Sequence, residues 1–248
     1  MQFGPPRGTD DEEGAEVAMV DSDTKRAGGV DLLVAILVLG SLWGAAEVVL
    51  GSAMAAANVP FRAGVLTGIG VAAMGVALAA FRRPAMLMGI AVVAVLCKQL
   101  VVPILRVSVL CEANSSLAVV LEGAALGIVA SLLGRRMEGR LPVRVGAGAA
   151  AGVLAAGAFY FAGLRVAPCN YLASFARPGG AVAFMVEQGL VWAAFAAALL
   201  PVGFWLGARS ASAVPALRSR RPLVYGAVSA AIVACCWLAS ALTIAGRV

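Results

Sequence analysis

Residues 62–107 read RAGVLTGIGVAAMGVALAAFRRPAMLMGIAVVAVLCKQLVVPILRV, two apolar runs joined by a short basic turn. Each run contains roughly the 20 residues that an α-helix needs to cross the hydrocarbon core of a bilayer. The turn consists only of Phe81, Arg82, Arg83 and Pro84. One long helix is therefore excluded, and the two runs are predicted to cross a membrane as antiparallel helices.

The same apolar pattern extends over most of the chain. Hydrophobic residues make up 62% of the 248 residues and charged residues 13%, and the mean hydropathy is +0.95. These values lie outside the range of soluble domains. The predicted fold is an all-α, polytopic transmembrane helical bundle. Seven spans are predicted, at about 32–54, 62–81, 85–107, 115–134, 145–166, 182–207 and 222–245.

Arginine and lysine are distributed unequally between the two sets of connections. Those before the first span or after the second, fourth and sixth are Arg7, Lys25, Arg26, Arg82, Arg83, Arg135, Arg136, Arg140, Arg144, Arg209, Arg218, Arg220 and Arg221. The opposite side holds Arg62, Arg106, Arg165, Arg177 and Arg247. Because positively charged loops stay in the cytoplasm, we predict a multi-pass protein of a bacterial-type inner membrane, with its N-terminus cytoplasmic and its C-terminus extracytoplasmic.

The net charge of +6 is explained by this orientation and by contact with anionic membrane lipids. Nucleic-acid binding is not implied. Four regions follow from the topology. Residues 1–31 are acidic and are predicted to form a disordered cytoplasmic tail, residues 32–207 a six-helix membrane core, residues 208–221 a basic cytoplasmic loop, and residues 222–248 an additional C-terminal transmembrane helix.

Charged side chains within the spans are the strongest indication of a binding site. Glu47, Lys98, Glu122 and Glu187 fall inside predicted helices, and a charge at bilayer depth usually faces a bundle interior or a cavity. At ~1.5 Å per residue, all four lie roughly 8 to 13 Å below the predicted outer surface. Their shared depth predicts one polar chamber that opens outward.

Three neighbouring side chains are added to this predicted site. Gln99 and Gln188 adjoin Lys98 and Glu187 and supply hydrogen-bonding groups. Trp43 stands one helical turn before Glu47 on the same helix face, where it is a candidate to stack on a ligand.

The sequence leaves the role of these charges open. An ion pair between Lys98 and either Glu122 or Glu47 would hold the helices of the bundle together, but it would leave two of the three carboxylates unpaired. The surplus of acid is compatible with a cationic or amine-bearing ligand or with proton binding. An anionic ligand held by Lys98 and Arg106 is the other alternative.

The cysteine and histidine content limits the chemistry. With five cysteines and no histidine, most zinc and haem sites and every histidine-based catalytic pair are excluded. We predict no metal, no cofactor and no enzymatic activity. The loop residues Cys111 and Cys169 both fall on the predicted outer side, where a disulfide between them is compatible with an oxidising compartment; free thiols are the alternative.

Three segments carry a resemblance to a known family. They are SLWGAAE (41–47), NVPFR (58–62) leading into Gly64 to Gly70, and LEG (121–123) with LLG (132–134). Over roughly residues 32–207 the chain resembles the integral-membrane substrate-binding (S) components of energy-coupling factor (ECF) transporters. The resemblance implies a six-helix core that binds a vitamin or similar micronutrient from outside, with a transmembrane coupling subunit and two ATPases as partners.

Two departures from that family are visible. The seventh span has no counterpart in the six-helix core, and the first helix offers Gly40 and Gly44 where members use an alanine-spaced pattern to dock the coupling subunit. The sequence also lacks a GxxxxGK[ST] phosphate-binding loop, so any ATP-driven function would require separate motor subunits.

Two functions are therefore predicted. The first is a membrane-embedded substrate-capture component of a small-molecule or micronutrient uptake transporter, with an unknown small ligand bound by Glu47, Lys98, Glu122, Glu187, Trp43, Gln99 and Gln188. The second is a non-catalytic accessory or structural subunit of a larger membrane complex, with its small-residue faces packed against other subunits.

Overall fold

The computed structural model describes residues 29–246, apart from the side chains of Cys111 and Ser212. Within these residues no strand is present, and seven helices are long and apolar enough to span a membrane. The prediction of an all-α, polytopic bundle is thus confirmed. The helices are α1 (Gly29–Ala56), α2 (Arg62–Phe81), α3 (Met86–Leu105), α4 (Ala113–Leu133), α5 (Leu141–Val166), α6 (Gly180–Arg220) and α7 (Pro222–Ala245).

The boundaries of the two segments that were predicted to be cytoplasmic change. Residues 1–28 of the predicted acidic tail lie outside the described residues, and α1 already begins at Gly29. The predicted loop over 208–221 is wrong, because α6 continues to Arg220. That segment is rich in Ala, Ser and Arg, which are compatible with a helix. The chain leaves the helical conformation only at Arg221, directly before Pro222 opens α7.

The bundle is built around α6, which packs along α2 on one side and α5 on the other, while α1 packs on α3, and α4 contacts both α3 and α5. Several of the glycines at helix-packing spacing lie at these contacts. Gly40 and Gly44 face α3, Gly64 and Gly68 face α6, and Gly123 faces Ala91 of α3. An added Cβ at Gly44 would lie 2.5 Å from the Cβ of Cys97, so these helix backbones approach closely.

Three helices lose regular α-geometry near the same end of the bundle. In α1 the turn Ala46–Leu50 is π-helical, with the Gly51 N–H donating to the Ala46 carbonyl. A second π-helical turn, Met185–Gly189, interrupts α6. Helix α3 breaks after Lys98 and resumes at Val101. Such turns shift the side chains that follow them and are frequent at functional sites.

Helix α7 lies at the edge of the bundle against α1 and α3. Trp237 Nε1 donates to Ser41 Oγ of α1 at 3.0 Å, and Ser240 Oγ lies 3.2 Å from Cys97 Sγ of α3. Near the end of α7, Ile244 is buried against Val48 and Val101. The seventh helix therefore covers α1 beside its π-helical turn.

Candidate functional site

All seven helices contribute to a cavity of about 1260 Å³ at the end of the bundle where α2 begins. Glu47, Lys98 and Glu122 line its interior, and exposed residues including Phe61 and Arg62 line its mouth. Since the helices alternate in direction, this end lies opposite the basic turn at Arg82 and Arg83. In the predicted orientation the cavity opens to the outside.

A buried ion pair forms one wall of the cavity. Lys98 Nζ lies 2.7 Å from Glu47 Oε2, and the two side chains are only 10% and 7% exposed. Glu47 belongs to the π-helical turn of α1. Lys98 is the last residue of the first part of α3, where the negative end of the helix dipole favours a cation. The pair neutralises both charges and corresponds to one of the pairings that the sequence left open.

Glu122 is placed differently from the ion pair. It lies on α4, is 4% exposed, and accepts a hydrogen bond at Oε1 from Thr67 Oγ1 of α2 at 2.8 Å. Its Oε2 atom has no hydrogen-bond partner within residues 29–246. Thr67 Oγ1 also lies 2.9 Å from the Ala63 carbonyl, and a hydroxyl has one hydrogen to share between the two acceptors. Glu122 thus brings a buried, incompletely satisfied carboxyl group to the cavity.

Aromatic rings form another wall of the cavity. Phe159 of α5 lies 6.2 Å from Phe184 and 5.7 Å from Trp192, both of α6, between ring centroids. All three line the cavity. Trp192 is 4% exposed, and its Nε1 donor is unpartnered among the described residues. The cavity therefore combines an apolar, aromatic surface with unused hydrogen-bonding groups.

The loops at the mouth are tied to one another. Asn114 Nδ2 donates to Cys169 Sγ at 3.2 Å, which links the start of α4 to the segment between α5 and α6. Cys169 is a free thiol within the described part of the chain. The side chain of Cys111 is outside that part, so the Cys111–Cys169 disulfide stays a prediction.

Tyr171 stands at the same mouth, outside the spans. Burial, followed by the negative charge of Glu187, raises the pKa of its phenol, while a hydrogen bond to Gln188 acts in the opposite direction. Tyr171 therefore stays uncharged at neutral pH and can donate or accept a hydrogen bond there.

The structure brings together some of the predicted site residues and separates others. Glu47, Lys98, Glu122 and Gln188 line the cavity. Trp43, Gln99 and Glu187 lie outside its lining. Trp43 is fully buried against Gly70, Gln99 donates to Ser116 Oγ at 2.9 Å, and Glu187 is exposed.

Four residues of the site were not predicted from the sequence: Thr67, Phe159, Phe184 and Trp192. A threonine and three aromatic residues in apolar helices are common packing residues, and nothing in their spacing distinguishes them. Only the tertiary arrangement of α2, α5 and α6 around Glu122 gives them a place in the site.

The described residues include no group of three or more Cys, Asp or Glu side chains arranged to hold a metal ion. The chain as a whole matches no family model, no curated protein and no solved structure.

Proposed function

We propose that this chain is a membrane-embedded substrate-capture component of a small-molecule uptake system, comparable in role to the S components of ECF transporters. The observation that carries the proposal is the open cavity with the buried, incompletely satisfied Glu122 in its wall. Ligand sites are typically concave, mostly apolar, and contain a few placed polar groups. The aromatic wall, the ion pair and Glu122 match that description.

Packing at the other end of the bundle favours capture over an open channel. Met74, Leu87, Leu126 and Leu200 are fully buried and belong to one apolar cluster that extends through α1 to α6. In this conformation the cavity is therefore closed toward the basic end. Transfer of a ligand across the membrane would then need a conformational change, driven in this proposal by a coupling subunit and ATPases.

Filling the cavity tests the proposed function. Ala118 lines the cavity one helical turn before Glu122, so Ala118→Trp places an indole over the carboxyl group. We expect wild-type protein purified from its native membrane in mild detergent to release a bound small molecule on denaturation. The variant is expected to lose at least ~90% of it, as a clash of this size costs more than 1.4 kcal/mol of binding free energy. Mass spectrometry of the released compounds measures this.

The matched control is Ile128→Trp, which adds the same indole to an exposed position of α4. It is expected to retain the wild-type amount of ligand. Equal recovery of the same compounds from both variants would contradict the proposal.

One observation favours the second candidate function, an accessory subunit of a membrane complex. Glu187 is exposed on α6 beside the exposed residues Val186 and Leu190. Glu187 falls within a predicted span, where an exposed carboxylate is costly, so a neighbouring subunit that covers it would stabilise the assembly. Chemical cross-linking from Val186→Cys in the native membrane, with mass spectrometry of the captured subunits and of released small molecules, would distinguish the two: a cross-linked complex without ligand supports the accessory role.

A further inference from the structure

We propose that the cavity selects a cationic amine with an apolar, aromatic body. This inference rests on the proposed function, because it names the chemical class of ligand for the same cavity. Three features support it: the incomplete hydrogen bonding of Glu122 among the described residues, the charges that line the cavity, and the aromatic wall of the same cavity.

Glu122 supplies the recognition group. A carboxyl group that is 4% exposed and has one oxygen without a hydrogen-bond partner in the described part of the chain is unfavourable unless a donor reaches it. An ammonium group carries three hydrogens and a positive charge. In contact with Oε2 it would stabilise Glu122 as a carboxylate and form a charge-assisted hydrogen bond, which an uncharged hydroxyl does only in part.

The surrounding charges disfavour an anion. Of the cations that line the cavity, Lys98 is already paired with Glu47 at 2.7 Å, and Arg62 is exposed at the mouth. An anionic ligand would have to break the buried ion pair to use Lys98, leaving Glu47 without its counter-ion. The anionic ligand would also lie near the carboxyl group of Glu122, whose ionised form would repel it. A cation meets neither cost.

The wall formed by Phe159, Phe184 and Trp192 indicates the rest of the ligand. Aromatic rings bury large apolar areas and pack against other rings in tilted or edge-on geometry, and their faces also attract ammonium groups. Trp192 Nε1, which has no partner within residues 29–246, would in addition donate to an acceptor on the ligand. A flat, apolar body with a terminal amine fits both walls.

The test compares three probes of similar size that differ in charge: 2-phenylethylamine, 2-phenylethanol and 3-phenylpropanoate. Their binding to the full-length protein in lipid nanodiscs, freed of bound ligand, is measured by isothermal titration calorimetry at pH 7. We expect the amine to bind roughly 10- to 100-fold more tightly than the alcohol, as for a hydrogen bond to a charged group, and the carboxylate to bind most weakly.

Glu122→Gln is expected to remove the preference for the amine and to leave the affinity for the alcohol within about threefold of wild type. The matched control, Glu138→Gln, makes the same change at the basic end, where Glu138 pairs with Arg82 on the surface at 3.3 Å. It is expected to keep the preference.

The wild-type ranking decides the proposal even if Glu122→Gln fails to fold. Equal binding of amine and alcohol, tighter binding of the carboxylate, or no binding of any probe up to millimolar concentration would overturn it. Binding of the alcohol that Ala118→Trp abolishes, without preference for the amine, would retain the capture function and reject only the ligand class. An amine preference that persists in Glu122→Gln would also overturn the inference.

Discussion

Lys98→Met is expected to destabilise the folded protein by roughly 3 to 5 kcal/mol, because it leaves Glu47 buried without its counter-ion. The methionine side chain nearly preserves the volume of lysine, so lost packing contributes little. Lys98 Nζ and Glu47 Oε2 are 2.7 Å apart and both side chains are about nine-tenths buried. Little water can therefore reach the Glu47 carboxylate to solvate it once Lys98 is replaced. The free energy of unfolding in mixed detergent micelles, from titration with a denaturing detergent, measures the effect.

Two comparisons isolate the ion pair. The double variant Glu47→Gln, Lys98→Met removes both charges and is expected to recover more than half of the lost stability, since no buried charge is left unpaired. Arg82→Met breaks the exposed pair with Glu138, whose side chains are 69% and 36% exposed, and is expected to cost less than ~1 kcal/mol. A Lys98→Met cost as small as that of Arg82→Met would show that the pair is not buried as described.

Gly203→Ala is expected to destabilise the bundle by about 1 to 3 kcal/mol through overpacking. Gly203 lies on α6 where this helix crosses α2, and an added Cβ would lie 2.1 Å from the Ala72 carbonyl oxygen. The contacting atom belongs to the backbone, so a side-chain rotation cannot relieve the clash. The two helices would have to separate, which also disturbs Thr67 and its contact with Glu122.

Gly157→Ala is the matched control on α5. Nothing among the described residues lies within 4 Å of an added Cβ there, and alanine is favoured over glycine in a helix by up to about 1 kcal/mol. The two identical substitutions should therefore shift thermal unfolding in opposite directions. A shift of the same sign and size at both positions would contradict the close crossing of α2 and α6.

Much of the fold follows from hydropathy. Within a bilayer, a long apolar run with few charges satisfies its backbone hydrogen-bonding groups by forming a spanning helix. The turn at Arg82 and Arg83 separates α2 from α3 as predicted. The end of α6 was harder to locate, because residues 208–220 are polar enough to leave a membrane yet compatible with a helix in water. Hydropathy detects where a span leaves the bilayer and not where its helix ends.

The candidate site, like the end of α6, could be predicted from the sequence only in part. Counting residues along a helix gives the depth of a charge, but the direction in which it points depends on helix packing and on irregular turns. Glu187 and Gln188 are adjacent in sequence, yet only Gln188 lines the cavity. Both belong to the π-helical turn of α6, which has no sequence signature comparable to Pro103 near the break in α3. The pairing of Lys98 with Glu47 likewise required the packing of α1 on α3.

The proposed function requires that the cavity beside Glu122 holds a small molecule. Its most direct test is an electron cryomicroscopy map of the full-length protein, extracted from its native membrane into nanodiscs without added ligand and bound to a rigid antibody fragment for alignment. We expect non-protein density between Glu122 and the rings of Phe159 and Trp192, with Lys98 still paired to Glu47. A collapsed cavity in which Lys98 turns to Glu122 and no space remains before the aromatic wall would contradict it.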